Sequence, residues 1–259
     1  MLPTIPLGPL RLQTYGTFLL LAFWLGLWLA ARRGPRYGVD GDHLYNAGFA
    51  ALLSGIAAAR LGHVAAFFEV YRTDPLQVFS LSPAALLPIP GLVGAGLGAW
   101  WYVRRHRLAV AAVADAAAPG LLLAAAVAGV GAFLAGRTVG TVTALPWGVA
   151  LPAAPDLRRH PTALYEAVAA LVWLAVVLAA ERRGERWPGR TAWLSLFGYA
   201  ALRLFLEPLR AGGVLLPGGW RAAQVVTWCA LALSGWRLGR GAAAQRPHPS
   251  VVSAPASEP

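Results

Sequence analysis

Lysine is absent from the 259 residues, so all 22 basic side chains are arginines. Alongside abundant alanine, glycine and proline, this reads as a compositional bias rather than a functional device. Cysteine occurs once, as Cys229 inside an apolar run. That excludes an internal disulfide and any CxxC metal site, and it suggests a buried structural thiol. Neither HExxH nor a paired-histidine spacing occurs, so no metal and no cofactor is expected. Charge of either sign is scarce: 13% of the residues carry it, against about a quarter in soluble domains. With 58% hydrophobic residues and a mean hydropathy of +0.56, the composition is that of a membrane chain. The net charge of +11 would point to nucleic acid in a soluble protein. Here the arginines fall in short clusters between apolar runs, so they report topology, and no nucleic-acid partner is expected.

Seven apolar runs lie at about 15–31, 45–68, 84–103, 116–136, 162–180, 191–208 and 220–238. Each is close to the roughly 17–25 residues that a bilayer-spanning helix needs. The fourth can begin earlier, since 108–135 holds a single charge, Asp115. The pattern predicts an all-α integral membrane protein with seven transmembrane helices in one domain, residues 1–240. The first run has no small-residue cleavage site after it and reads as an uncleaved span. If the N-terminus is outside, the inner loops hold Arg32, Arg33, Arg36, Arg104, Arg105, Arg107, Arg182, Arg183, Arg186, Arg190, Arg237, Arg240 and Arg246, 13 in all. The outer segments hold 7: Arg11, Arg72, Arg137, Arg158, Arg159, Arg210 and Arg221. The positive-inside rule therefore predicts an outside N-terminus and a cytoplasmic C-terminus. Residues 241–259 lack periodicity and read as a disordered cytoplasmic tail. No internal repeat marks an inverted-repeat transporter, and the polar residues gather towards one side rather than forming a path through both leaflets.

This orientation puts the loop at about 137–161 on the outer face, where "LRRHPTALYEAV" (Leu157–Val168) closes it. Pro161 suits the first turn of a helix, and Glu166 lies on the favourable side of that helix's dipole. A charge at bilayer depth normally faces a partner or an aqueous cavity. Arg60 is one such charge, with His63 three residues on. Arg203 and Glu207 are another pair, spaced i,i+4 on one helix face. Any one of them alone could be an ion pair that holds helices in register. Together with the Arg158–Glu166 cluster they exceed what packing needs. Several guanidiniums near the outer half of a bundle suit a phosphate-bearing ligand, and a phospholipid headgroup is the anion most available there. "GLVGAGLG" (Gly91–Gly98) reads as a close-packing helix surface, while Trp100, Trp101 and Trp187 suit the interfacial aromatic belt.

The segments "YGTFLLLAFWLGLWLAARR", "AAARLGHV", "TALPWGV", "RRHPTALYEA" and "GYAALRLFLEPLR" stand in the order and spacing of bacterial prolipoprotein diacylglyceryl transferases, and from about Tyr15 to Arg210 the chain resembles that family. The resemblance implies a multi-pass protein of the bacterial inner membrane. It would move a diacylglyceryl group from phosphatidylglycerol to the lipobox cysteine thiol in a preprolipoprotein signal peptide, releasing glycerol phosphate. Its partners would be that lipid, that peptide and the bilayer. By the same resemblance Tyr15, His160, Arg203 and Glu207 would be catalytic, and Gly140, Tyr165 and Glu166 would bind substrate. Arg60 and Arg137 join the binding set as cations available for a phosphate. The chain also departs from the family's GRxGNFxNGExxG signature. In "DAAAPGLLLAAAVAGVGAFLAGRTVG", Gly129 stands for the signature arginine, Ala132 for its asparagine and Arg137 for its acid. Val93 is the nearest match to the histidine of the family's HGG segment. Either Arg137 supplies the missing phosphate charge, with His63 or His160 as the base, or the scaffold binds phospholipid or a lipoprotein precursor without turnover.

Overall fold

The computed structural model describes residues 4–7, 10–74, 76, 86–137, 140–151, 154–183, 187–212 and 215–244. Helices dominate them. After a short antiparallel hairpin, β1 (Thr4–Leu7) and β2 (Leu10–Gln13), come α1 (Thr14–Arg33), α2 (Gly41–Ala66), the short α3 (Phe68–Thr73), α4 (Pro88–Arg105) and α5 (Val110–Leu134). A second hairpin, β3 (Val149–Leu151) and β4 (Ala154–Arg159), precedes α6 (Thr162–Arg183), α7 (Arg190–Leu206) and α8 (Ala222–Ala244). Each apolar run of the sequence coincides with one long helix, and α5 takes the earlier start. Four spans, Thr14–Tyr37, Gly41–Ala66, Val110–Leu134 and Thr162–Arg183, are long and apolar enough to cross a membrane. The two hairpins were not legible as strands, because each is only a few residues long and broken by proline. The expected tail falls outside the described residues beyond Ala244, and Gly241–Ala244 continue α8.

Small residues set the helix contacts. A Cβ on Gly94 would lie 2.7 Å from the Ser54 carbonyl oxygen, and one on Gly91 would lie 3.1 Å from Ala59 Cβ. The glycine-rich segment of α4 is therefore the surface that lets it press against α2, as dispersion-driven packing in lipid requires. A Cβ on Gly26 would lie 2.8 Å from the Gly120 carbonyl oxygen, and α5 meets α6 where Gly129 faces Ala163 and Ala167. All these contacts run antiparallel: Gly26 meets Gly120 while Phe18 meets Gly131, and Trp173 meets Leu194 and Gly198 while Glu166 meets Arg203. One end of the bundle thus collects the starts of α1, α4, α6 and α8 with the ends of α2, α5 and α7.

The opposite end is locked by buried polar groups. Arg33 pairs with Glu181, each with about 8% of its side chain exposed. Tyr37 donates its hydroxyl proton to Glu181 (2.6 Å) and lies 3.0 Å from the Thr191 hydroxyl. Asp115 reaches from α5 to the start of α7 and accepts from the backbone N–H of Gly189 (2.7 Å) and Ala192 (2.8 Å). Those N–H groups have no partner within the helix, so a carboxylate there is favoured by both hydrogen bonding and the helix dipole. Cys229, expected to be buried, is exposed. Among the described residues helix α8 packs chiefly against α7.

Candidate functional site

The sequence-predicted site residues all lie at the end of the bundle away from the Arg33–Glu181 pair, in three groups. The largest forms where α6 begins, α7 ends and α8 begins. Glu166, one turn into α6, accepts from both Arg203 and Arg210. Arg203 also reaches Glu207 at 3.4 Å, the i,i+4 pairing expected from its spacing. Glu207 opens a 3-10 turn at the end of α7 and is only 5% exposed at its side chain. Arg221, at the threshold of α8, donates to the backbone carbonyls of Glu207 (3.0 Å) and Arg210 (3.2 Å), and lies 3.9 Å from the Glu207 carboxylate. Three guanidiniums therefore surround two carboxylates, leaving one net positive charge. Arg203, Arg210 and Arg221 are 21%, 26% and 30% exposed, so the carboxylates hold them in place while part of each side chain stays accessible.

A backbone ladder ties the loop before α6 to this cluster. Residue Thr141 donates its N–H to Leu209 (2.8 Å) and accepts from His160 (3.0 Å), with Gly140 bridging Arg210 and Val142 bridging Arg159. The ladder carries His160 to the start of α6, where the Pro161 carbonyl accepts from Tyr165 N–H at 3.1 Å. Pro161 thus marks the helix boundary, close to where its missing N–H costs nothing. His160 Nδ1 lies 3.4 Å from the Tyr165 hydroxyl, which accepts from Trp147 Nε1 at 2.8 Å. Gly140 is buried under this turn, and a Cβ there would sit 2.6 Å from His160 Cβ, with the His160 carbonyl nearer still. Gly140→Ala is therefore expected to push the His160 turn away from the ladder, at about 1–3 kcal/mol for such overpacking. Thermal unfolding in detergent reads this directly, and an unchanged midpoint would show that the turn yields freely.

The second group is a pair: the Arg137 guanidinium sits 4.6 Å over the ring of Tyr15, with Arg137 exposed. It brings the end of α5 to the start of α1. The third group lies on α2 and α3, where Arg60 stands over the Tyr71 ring at 5.3 Å and the Tyr71 hydroxyl meets His63 Nδ1 at 3.0 Å. Helix α2 packs against α4 and α1, so this group occupies the other half of the same end. Arg60 and His63 share a face, as their spacing indicated, but Tyr71 organises them rather than the Glu166 cluster.

Arg210, Arg221 and Trp147 were missed as site residues. The first two read in the sequence as outer-loop topology charges, and Trp147 only as part of the PWG segment. The missing signature residues have a physical counterpart as well. A Cβ on Gly129 would lie 3.0 Å from the Ala163 carbonyl oxygen and 3.1 Å from Ala167 Cβ, and Ala132 is 8% exposed. Close α5–α6 packing fills the place where the signature arginine would stand, so the cations nearest Glu166, Glu207 and Tyr15 are Arg137, Arg203, Arg210 and Arg221. From the middles of α1, α2, α4 and α5 towards their Arg33–Glu181 end lies an apolar cavity of about 330 Å³, bordered by Phe23, Leu27, Ala30, Leu44, Val113 and Leu121.

Comparison with known proteins places these features in a family. A model of the prolipoprotein diacylglyceryl transferase family matches residues 3–238. A Photobacterium profundum protein named phosphatidylglycerol–prolipoprotein diacylglyceryl transferase is 32% identical over 209 residues, covering 80% of this chain and 79% of its own. One of the same name from Chromohalobacter salexigens is 32% identical over 207 residues, covering 80% and 78%. Another, from Vibrio vulnificus, is 29% identical over 246 residues, covering 91% and 90%.

Proposed function

Because the chain belongs to the prolipoprotein diacylglyceryl transferase family, we propose that it transfers a diacylglyceryl group from phosphatidylglycerol to the lipobox cysteine thiol of preprolipoproteins. The observation that carries this reading at the level of residues is the cluster in which Glu166 and Glu207 hold Arg203, Arg210 and Arg221 beside His160. The thiolate sulfur forms a bond to the terminal glyceryl carbon, the carbon–oxygen bond to phosphate breaks, and glycerol phosphate leaves with the electron pair. N–H groups of Arg203 and Arg210 hold the phosphate and stabilise the charge that develops on the leaving oxygen. His160 takes the thiol proton at Nε2 when Nδ1–H donates to Tyr165, whose oxygen also accepts from Trp147. Arg137 over Tyr15 adds a second cationic wall, and the apolar cavity between α1, α2, α4 and α5 suits an acyl chain.

The membrane topology belongs to the same proposal: seven spans, the N-terminus outside, the C-terminus cytoplasmic, in the inner membrane of a bacterium. Its support is the sidedness of charge. Arg32, Arg33, Arg36, Arg104, Arg105, Arg107, Arg182, Arg183, Arg190, Arg237 and Arg240 gather at the end opposite the Glu166 cluster, and short-loop arginines favour the cytoplasm. The cluster then faces the outer leaflet, with the lipid, the signal peptide and the bilayer as partners.

A lipobox peptide incubated with the purified protein in phosphatidylglycerol vesicles should gain the mass of one diacylglyceryl group, and should gain nothing in phosphatidylcholine alone. No product from folded, inserted protein would sink the transferase reading. Saturable phosphatidylglycerol binding without product would support the alternative, a member that binds lipid or precursor without turnover. The observation favouring that alternative is the filling of the signature positions by Gly129 and Ala132.

A further inference from the structure

A second basic and aromatic site lies at the opposite end of the bundle, between the start of α7 and the last turns of α8. Trp187, Pro188, Trp193, Trp236, Arg237 and Arg240 line an open groove of about 440 Å³, within the size range of small-molecule sites. The Arg237 guanidinium lies 5.4 Å from the centre of the Trp193 ring and 5.3 Å from that of Trp236, and Arg240 lies 5.1 Å from that of Trp236. Among the described residues neither arginine forms an ion pair with a carboxylate. Gly241 is what lets Trp187 lie against α8, since a Cβ there would meet its indole at 2.9 Å and closer.

Topology alone explains a basic residue at this end, but it does not explain this arrangement. Arg32 stacks on Trp28 and Arg104 on Trp100 as single pairs on helix surfaces. At the groove two guanidiniums share one aromatic floor and one opening, so two positive charges converge without an acid to neutralise them. Planar guanidinium forks match phosphate oxygens in a bidentate way. Tryptophan bodies settle at headgroup depth, and basic pockets between helices on the cytoplasmic side are suited to anionic headgroups. The outward faces of the same two helices stay apolar deeper in, with Leu196 on α7 at 38% and Leu233 on α8 at 45% exposure, so acyl chains have a surface to follow.

We infer that the groove between α7 and α8 binds the phosphate headgroup of an anionic phospholipid in the leaflet opposite the proposed catalytic cluster. Its leaflet rests on the orientation proposed above; its chemistry does not. Lipid retention measured by native mass spectrometry of the full chain, titrated with phosphatidylglycerol or phosphatidylcholine, reads the site without reference to turnover. In an Arg203→Gln background, which weakens lipid binding at the other end, a preference for phosphatidylglycerol should persist. Adding Arg237→Gln and Arg240→Gln should then weaken it roughly thirtyfold, as expected for two basic residues at a membrane surface. The corresponding pair of lysine substitutions, which keeps both charges but not the planar forks, should retain only part of the binding, and inorganic phosphate in large excess should not displace the lipid. Equal retention of the two lipids, unchanged binding in the glutamine pair, or displacement by inorganic phosphate would each overturn the inference.

Discussion

Replacing Arg203 with alanine is expected to lower diacylglyceryl transfer by roughly 10²–10³-fold, the scale of losing one donor aimed at developing charge, while the bundle stays folded. The separation of these effects comes from how the carboxylates are shared. Glu166 keeps Arg210 as a partner when Arg203 is gone, and Glu207 keeps Arg221. Neither acid is stranded in the half-buried cluster, so the variant escapes the heavy penalty of an uncompensated charge. What disappears is a guanidinium spanning two carboxylates on a side chain that stays partly accessible. Arg203→Lys should recover a fraction of the rate, because the charge returns without the bidentate geometry. Initial rates with a lipobox peptide in phosphatidylglycerol vesicles, alongside thermal unfolding, separate the two effects. A rate close to that of the unaltered protein would remove Arg203 from the proposed phosphate site.

Glu181→Ala should do the reverse, with stability falling and turnover per folded molecule holding. Arg33 and Glu181 are both buried, and taking away one partner leaves a charge desolvated and unmatched at about 3–5 kcal/mol. Tyr37 loses its acceptor as well. The thermal midpoint in detergent should drop well below that of the unaltered protein. Replacing both by apolar residues of similar size, as Arg33→Met with Glu181→Leu, should restore much of the loss, since a buried pair replaced as a whole by packed apolar side chains often costs little. If the single variant unfolds no earlier than the parent, the pair does not lock this end of the bundle.

Arg203 and Glu207 were readable because they are local: four residues apart on one helix, they share a face before any tertiary contact forms. The same holds for Arg60 with His63, and for Pro161 at the start of α6. Arg210 and Arg221 were not readable as site residues. Each meets its partners across loops, Arg210 reaching Glu166 over a sequence separation of 44, and no periodicity encodes that reach. Cys229 shows the same limit for burial. An apolar run tells that a residue is away from water, and in a membrane that condition is met equally by lipid and by a neighbouring helix.

By itself the sequence determined that this is a helical membrane chain with its arginines weighted to one end. Run length against bilayer thickness and the cost of buried charge leave few other arrangements. Only the tertiary structure decided which charges meet. It decided that glycine at 129 lets α5 and α6 close over the signature position, that Gly140 seats His160, and that three arginines rather than one surround Glu166 and Glu207. The physical reason is that hydropathy acts residue by residue along the chain, whereas an ion pair or a glycine contact exists only when two distant helices arrive at the same place.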